Sequence, residues 1–111
     1  MDISKLFNLS GRVVIITGAA GNLGSKYAEG LSQAGANLVL ADLDYDGCKK
    51  LGKQLESKYF TKTLAIKLDL SNKTSIKNMV SKSMKQFSKI DVLINNAAYQ
   101  GNQKTRKIKF E

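Results

Sequence analysis

Residues 17–24 read Thr17-Gly18-Ala19-Ala20-Gly21-Asn22-Leu23-Gly24. Small side chains over such a run leave backbone N–H groups uncovered. At the mouth of a helix those groups face an anion, and the helix dipole adds favourable potential there. A lone glycine-rich turn is weak evidence; it gains weight when it follows a strand and opens a helix. The competing phosphate-loop pattern fails, because Leu23 stands five residues after Gly18 and no Gly-Lys-Ser/Thr occurs anywhere. The second chemical group is Asp42, 18 residues after Gly24. At the end of a strand, a carboxylate so placed accepts both hydroxyl hydrogens of an adenosine ribose and repels a 2′-phosphate. The alternative is that Asp42, with Asp44 and Asp46, does no more than open a turn. Metal chemistry has little to work with, since the chain has no His and the single Cys48.

The elements that must position these groups are legible as short apolar runs alternating with amphipathic stretches. Val13-Val14-Ile15-Ile16 is apolar at every position, as a strand buried on both faces is, and Thr17-Gly18 is a turn signal. Residues 22–34 read as a helix with Leu23, Tyr27, Ala28 and Leu31 on one face, ended by Gly35. Residues 37–41 form a second strand with Asp42 at its end. Asp44 caps a helix over 45–58 whose apolar face is Cys48, Leu51 and Leu55. A third strand over 63–68 is again followed by an acid, Asp69. Ser71 or Asn72 caps a third helix, with Ile76, Met79, Val80, Met84 and Phe87 as its expected core face. Residues 91–94 give a fourth buried strand, which runs into Asn95-Asn96-Ala97-Ala98. The two asparagines can tie strand ends together through their side chains. Residues 99–111 are polar, basic and aperiodic, and read as loop.

This β-α-β-α-β-α-β order implies an α/β fold: right-handed crossovers and a parallel sheet with helices on both faces. The expected strand order is 3-2-1-4, a Rossmann-type doubly wound sheet truncated after strand four. Residues 1–111 are expected to form a single nucleotide-binding domain, incomplete at its C-terminus, with its core over 6–98. Strand four then lies at an edge, which invites pairing with another chain.

The net charge is +9, and it is uneven: residues 1–46 carry three Lys/Arg against five Asp/Glu, and residues 47–111 fifteen against four. The lysines are spread over three segments and alternate with apolar positions, as on a solvated helix face. Nucleic acid is therefore not expected as a partner. No stretch approaches about 18 consecutive apolar residues, so no membrane partner is expected either. The N-terminus lacks a basic and apolar leader pattern, and one cysteine precludes an internal disulfide; both fit a cytoplasmic location.

These motifs resemble those of the short-chain dehydrogenases/reductases. Thr17-Gly18 and Gly24 match that family's TGxxxGxG turn, and Asp91-Val92-Leu93-Ile94-Asn95-Asn96-Ala97 matches its DhhhNNAG segment. Asp69-Leu70 matches the acid-aliphatic pair that in the family sits against the adenine. The lead-in over residues 6–12 is also similar, and the likeness covers nearly residues 6–100. Two departures stand out. The family's middle glycine falls at Asn22, asparagine being the non-glycine residue best able to take a left-handed conformation, and the final glycine falls at Ala98.

The resemblance implies cofactor contacts at Gly18, Ala20, Gly21, Asn22, Leu23, Gly24, Asp42, Leu43, Asp69, Leu70, Asn95 and Ala97. It implies NAD, in preference to NADP because of Asp42, and hydride transfer between the nicotinamide and an alcohol or ketone substrate. It also implies a homo-oligomeric full-length form. The family's catalytic Asn, Ser and Tyr-x-x-x-Lys all lie beyond the NNAG segment, so no catalytic residue is expected within these 111 residues and the chain alone is expected to be inactive. Tyr45 and Lys49 satisfy the Tyr-x-x-x-Lys spacing, but at the adenine end of the expected site. The chain therefore reads as the cofactor-binding half of an oxidoreductase. The alternative is a nucleotide-binding module without catalysis, or an inert gene remnant.

Overall fold

The computed structural model describes residues 8–97. In chain order the elements are β1 (Val13–Thr17), α1 (Asn22–Gln33), β2 (Asn37–Asp42), α2 (Tyr45–Tyr59), β3 (Thr63–Lys67), α3 (Lys73–Phe87) and β4 (Val92–Asn95). The four strands make one parallel sheet in the order β3-β2-β1-β4. The chain thus winds outward from β1 to β3, then returns past β1 to β4. That reversal leaves a crevice between β1 and β4 at their C-terminal ends, the place where such sheets bind ligands.

The β-branched run of β1 is buried at all five positions, and Leu38 to Ala41 of β2 are buried likewise. Alternate residues feed two cores. Val14, Ile16, Leu38 and Leu40 pack against Ala28 of α1 and Cys48 and Leu55 of α2. Val13, Ile15, Val39 and Ala41 pack with Ile66, Leu68 and Met79 on the α3 side. The helices begin where side chains satisfy their first N–H groups. Asp44 Oδ1 accepts the Gly47 N–H at 2.9 Å, and Asn72 Oδ1 accepts those of Thr74 and Ser75 at 2.9 and 3.3 Å.

Three expectations about burial need correction. In α1 the buried stripe is Gly24, Ala28 and Ser32, while Leu23 and Tyr27 are exposed. In α3 it is Met79 and Ser83, with Ile76 and Phe87 half-buried and Val80 and Met84 exposed. The buried stripe of each helix is narrow, and the larger apolar neighbours stand at its margin. Ser83 suits this place because its hydroxyl donates to the Met79 carbonyl at 2.6 Å. Nor is β4 buried on both faces: Val92 and Leu93 are 46% and 57% exposed at the edge of the sheet. The expectations for residues 1–7 and 98–111 lie outside the described residues.

The register of β4 is pinned at its start by Asp91. The Asp91 N–H donates to the Val13 carbonyl at 2.9 Å, and the Val13 N–H donates to Asp91 Oδ2 at 2.8 Å. Arg12 and Lys89 add ion pairs at 3.6 and 3.2 Å. The Val13 N–H bond, then Lys89 and Arg12, hold the Asp91 carboxyl below the usual carboxylate range. A depressed folded-state pKa contributes stability that is complete above the unfolded value and lost as pH falls through the folded one. Unfolding midpoints measured from pH 7 downward should therefore drop below about pH 4. Asp91→Asn should lower the midpoint at pH 7 and flatten that acid limb; an unchanged acid limb would count against this role for Asp91.

Candidate cofactor site

Everything the sequence marks for chemistry collects at the C-terminal end of the sheet. β1 delivers Thr17, buried, with its hydroxyl between two segments. Thr17 Oγ1 accepts the N–H groups of Asn96 and Ala97, each at 3.1 Å, and donates to Asn95 Oδ1 at 2.9 Å. One hydroxyl thus fixes the end of β4 against the end of β1. Asn96 completes the join by donating from Nδ2 to the Gly18 carbonyl at 3.3 Å. The strand-tying role read for Asn95 and Asn96 is thus realised, whereas Thr17 was not among the residues expected from the sequence to act here. The available signal was a hydroxyl residue ending a wholly apolar strand, where a buried polar atom must find partners.

The turn that follows is wedged between α1 and this join. Gly18 lies at φ +69, and a Cβ there would sit 2.9 Å from the Ala97 Cα. A Cβ on Gly24 would fall on the Gly18 carbonyl oxygen. Within the turn the Ala19 N–H donates to the Ala41 carbonyl at 3.2 Å and the Gly21 N–H to the Gly18 carbonyl at 3.2 Å. α1 opens on Gly21, with no side-chain cap and no acid in its first turn. The first intrahelical bond of its N-terminus is Ser25 N–H to the Gly21 carbonyl at 2.9 Å. The N–H groups of Asn22, Leu23 and Gly24 therefore have no acceptor among the described residues. Asn22 does not adopt the left-handed conformation considered for it; among the described residues only Phe60 and Ser88 do so outside glycine. The departure from glycine at this position thus adds a side chain without requiring unusual backbone.

β2 brings Asp42 to the same place. Its Oδ2 accepts the Ala20 N–H at 3.1 Å and its Oδ1 the Asp44 N–H at 3.0 Å. The turn-opening reading of Asp42 is thus realised, and the same carboxylate also lies against the glycine-rich turn. Asp69, after β3, accepts the Ser71 hydroxyl and N–H at 2.7 and 3.0 Å, and these bonds hold its carboxyl below the usual range. Leu23, Leu43 and Leu70 leave apolar surface exposed around this end of the sheet. Asn95 and Ala97 stand across the crevice on the β4 side, so the expected contacts fall on one end of the sheet.

Two other groups of reactive type lie outside the expected contacts. Cys48 is fully buried, and burial, then the Asp42 and Asp44 carboxylates, pushes its thiol up to about 12. A thiol held protonated in this way is a poor nucleophile. Lys49 Nζ sits 5.6 Å from the centroid of the Tyr45 ring, one helical turn on. That pair lies at the start of α2, beside Asp42 and away from the β1–β4 crevice. No group of His, Cys, Asp or Glu among the described residues can hold a metal ion.

The Thr17 join makes a direct claim. Thr17→Val keeps the shape and leaves the Asn96 and Ala97 N–H groups without their acceptor. Such losses cost about 1–3 kcal/mol each when buried, and these groups are only part-buried. Urea unfolding should show a loss of about 2–3 kcal/mol. A difference within about 0.5 kcal/mol would remove Thr17 from this role.

A model of the family described as short chain dehydrogenase matches residues 12–111. The NADP-dependent 3-hydroxy acid dehydrogenase of Schizosaccharomyces pombe is 39% identical to this chain, over 80% of the chain and 35% of the relative. The NAD-dependent glycerol dehydrogenase of Listeria innocua is 37% identical, over 84% of the chain and 35% of the relative. Among solved structures, L-sorbose reductase from Gluconobacter frateurii, complexed with NADPH and L-sorbose, superposes with a TM-score of 0.81 at 26% identity. That likeness covers 93% of this chain and 39% of that one. The chain thus spans about a third of the length of these curated relatives. By its turn, its strand order and these matches, the chain belongs to the short-chain dehydrogenase/reductase family.

Proposed function

We propose that the chain is the cofactor-binding half of an NAD-dependent short-chain oxidoreductase, acting on an alcohol or ketone substrate. Asp42 is the observation that supports this reading best. Its carboxylate lies against the turn whose last three N–H groups, those of Asn22, Leu23 and Gly24, lack acceptors among the described residues, so a ribose site and a pyrophosphate site adjoin. That donor and acceptor set fits a dinucleotide. Hydroxyl hydrogens go to Asp42, phosphate oxygens go to the backbone of residues 22–24, and apolar surface at Leu43 and Leu70 is left for the adenine.

Gly18, Ala20 and Gly21 shape the path, and Leu23 and Gly24 offer N–H groups. Asp69 and Leu70 flank the base, while Asn95 and Ala97 border the crevice toward the nicotinamide. The bound cofactor supplies hydride chemistry. The residues of this chain bind and orient it, and Thr17 with Asn96 keeps the two walls of the crevice in register. The relatives named above include both NAD- and NADP-dependent enzymes. NAD is favoured here because a 2′-phosphate would meet the Asp42 carboxylate. The homo-oligomeric full-length form and the cytoplasmic location belong to this proposal. No helix of the described residues is long and apolar enough to cross a membrane.

Two measurements test it. Titration of both dinucleotides at fixed ionic strength should show tighter binding of NAD, and Asp42→Ala should narrow the difference; equal or tighter NADP binding would reject the role given to Asp42. The same sample should show no alcohol-dependent reduction of NAD. The catalytic tyrosine of the family is not matched on the nicotinamide side of these residues, and an acid/base group contributes roughly 10²–10⁴ in rate. Turnover abolished by Tyr45→Phe would overturn this placement of the nicotinamide.

A further inference from the structure

From Gly18 to Gly24 every side chain but one is hydrogen, methyl or hydrocarbon, and the exception is Asn22. Asn22 is the first residue of α1 and is exposed. Its carbonyl accepts the Ser25 hydroxyl at 3.0 Å, and its side-chain amide has no hydrogen bond among the described residues. The backbone donors around it divide cleanly. Those of Ala19, Ala20 and Gly21 are used within the protein, and those of Asn22, Leu23 and Gly24 are not. The Cα–Cβ bond of a helical residue leans toward the helix N-terminus. The Asn22 amide therefore rises from the backbone on the side to which the three unused N–H groups point.

We propose that Asn22 is a phosphate-recognition residue, whose Nδ2 donates a hydrogen bond to an oxygen of the dinucleotide's pyrophosphate. This rests on the dinucleotide reading above and goes beyond it, because the family pattern has glycine at this position and offers backbone donors alone. A glycine there gives an anion room. An asparagine takes some of that room and returns a neutral donor on a short, rotatable arm. Its amide end can turn toward the anion while its oxygen faces water. No lysine, arginine or acid lies within residues 18–24 to compete for the phosphate or repel it.

The test titrates the 111-residue chain and its Asn22→Ala, Asn22→Gly and Asn22→Asp forms with NAD, ADP and adenosine. Thermal unfolding of each sample is recorded alongside. Losing a hydrogen bond to a charged group weakens binding by about tenfold. The Ala and Gly forms should lose about that factor for NAD and ADP and none for adenosine. The Asp form should lose more than either, since it places a carboxylate at the anion. Ala is a good helix former, so its form separates lost recognition from lost folding. Unchanged or tighter NAD binding by the Gly form would overturn the proposal, leaving Asn22 as a tolerated obstruction. An equal loss for adenosine would also overturn it, by making the effect structural. If the unsubstituted chain binds NAD and ADP no better than adenosine, the dinucleotide reading itself fails, and this inference with it.

Discussion

The site depends on one close approach, that of α1 to the turn that leads into it. A Cβ on Gly24 would fall on the Gly18 carbonyl oxygen, and one on Gly18 would press on the Ala97 backbone. The chain at Gly18 is therefore confined between the helix behind it and the end of β4 beside it. Confinement lets the Asn96 side chain reach the Gly18 carbonyl and places the Thr17 hydroxyl under the Asn96 and Ala97 N–H groups. It also determines which backbone donors remain unused. Gly18 turns with positive φ, so its carbonyl accepts the Gly21 N–H, and α1 begins at once on residues that have nothing to bond. A larger residue at Gly18 or Gly24 would force the walls apart and disturb the join and the donor array together.

The sequence revealed the parts of this arrangement that are set by local chemistry. The wholly apolar, β-branched run Val13-Val14-Ile15-Ile16 marked β1 as a strand buried on both faces, which it is. Alternation with helices implied the 3-2-1-4 order, which the sheet has. Asp44 capped its helix as its type suggests, and the choice between Ser71 and Asn72 fell to Asn72, whose side-chain Oδ1 accepts two N–H groups. Packing depth was harder to see. A hydropathy pattern treats Leu23 and Tyr27, or Val80 and Met84, as stronger core candidates than Gly24, Ser32 and Ser83. Position on the helix decides the matter otherwise: the residues buried against the rest of the fold are Gly24, Ala28 and Ser32 in α1 and Met79 and Ser83 in α3. The apolar run of β4 resembles that of β1, yet burial in a sheet depends on neighbours, and among the described residues β4 has a strand on one side only. The candidate site was legible wherever one residue type carries the role, as at Asp42 and the glycines. Thr17 was missed because its role lies in three bonds to residues 78 to 80 positions away.

A final electrostatic tension runs through the site. On the proposed reading, the same end of the sheet attracts a doubly charged pyrophosphate and presents a carboxylate to the ribose. The lysines do not resolve it locally, since those of α2 and α3 stand on exposed positions of the helices and act mainly through net charge. Screening limits their influence to about 8 Å at physiological salt. The resolution is in the backbone. Each oxygen of Asp42 accepts an amide, Ala20 on one side and Asp44 on the other, which fixes the carboxylate in place. A carboxylate oxygen has more than one acceptor site, so both oxygens keep capacity for hydroxyl hydrogens. The turn thus uses the Ala20 N–H to orient the carboxylate and the Gly21 N–H within itself, and leaves those of Asn22, Leu23 and Gly24 without an acceptor among the described residues. In the proposed reading, attraction for the pyrophosphate and discrimination at the ribose both follow from how one short run of backbone distributes its donors.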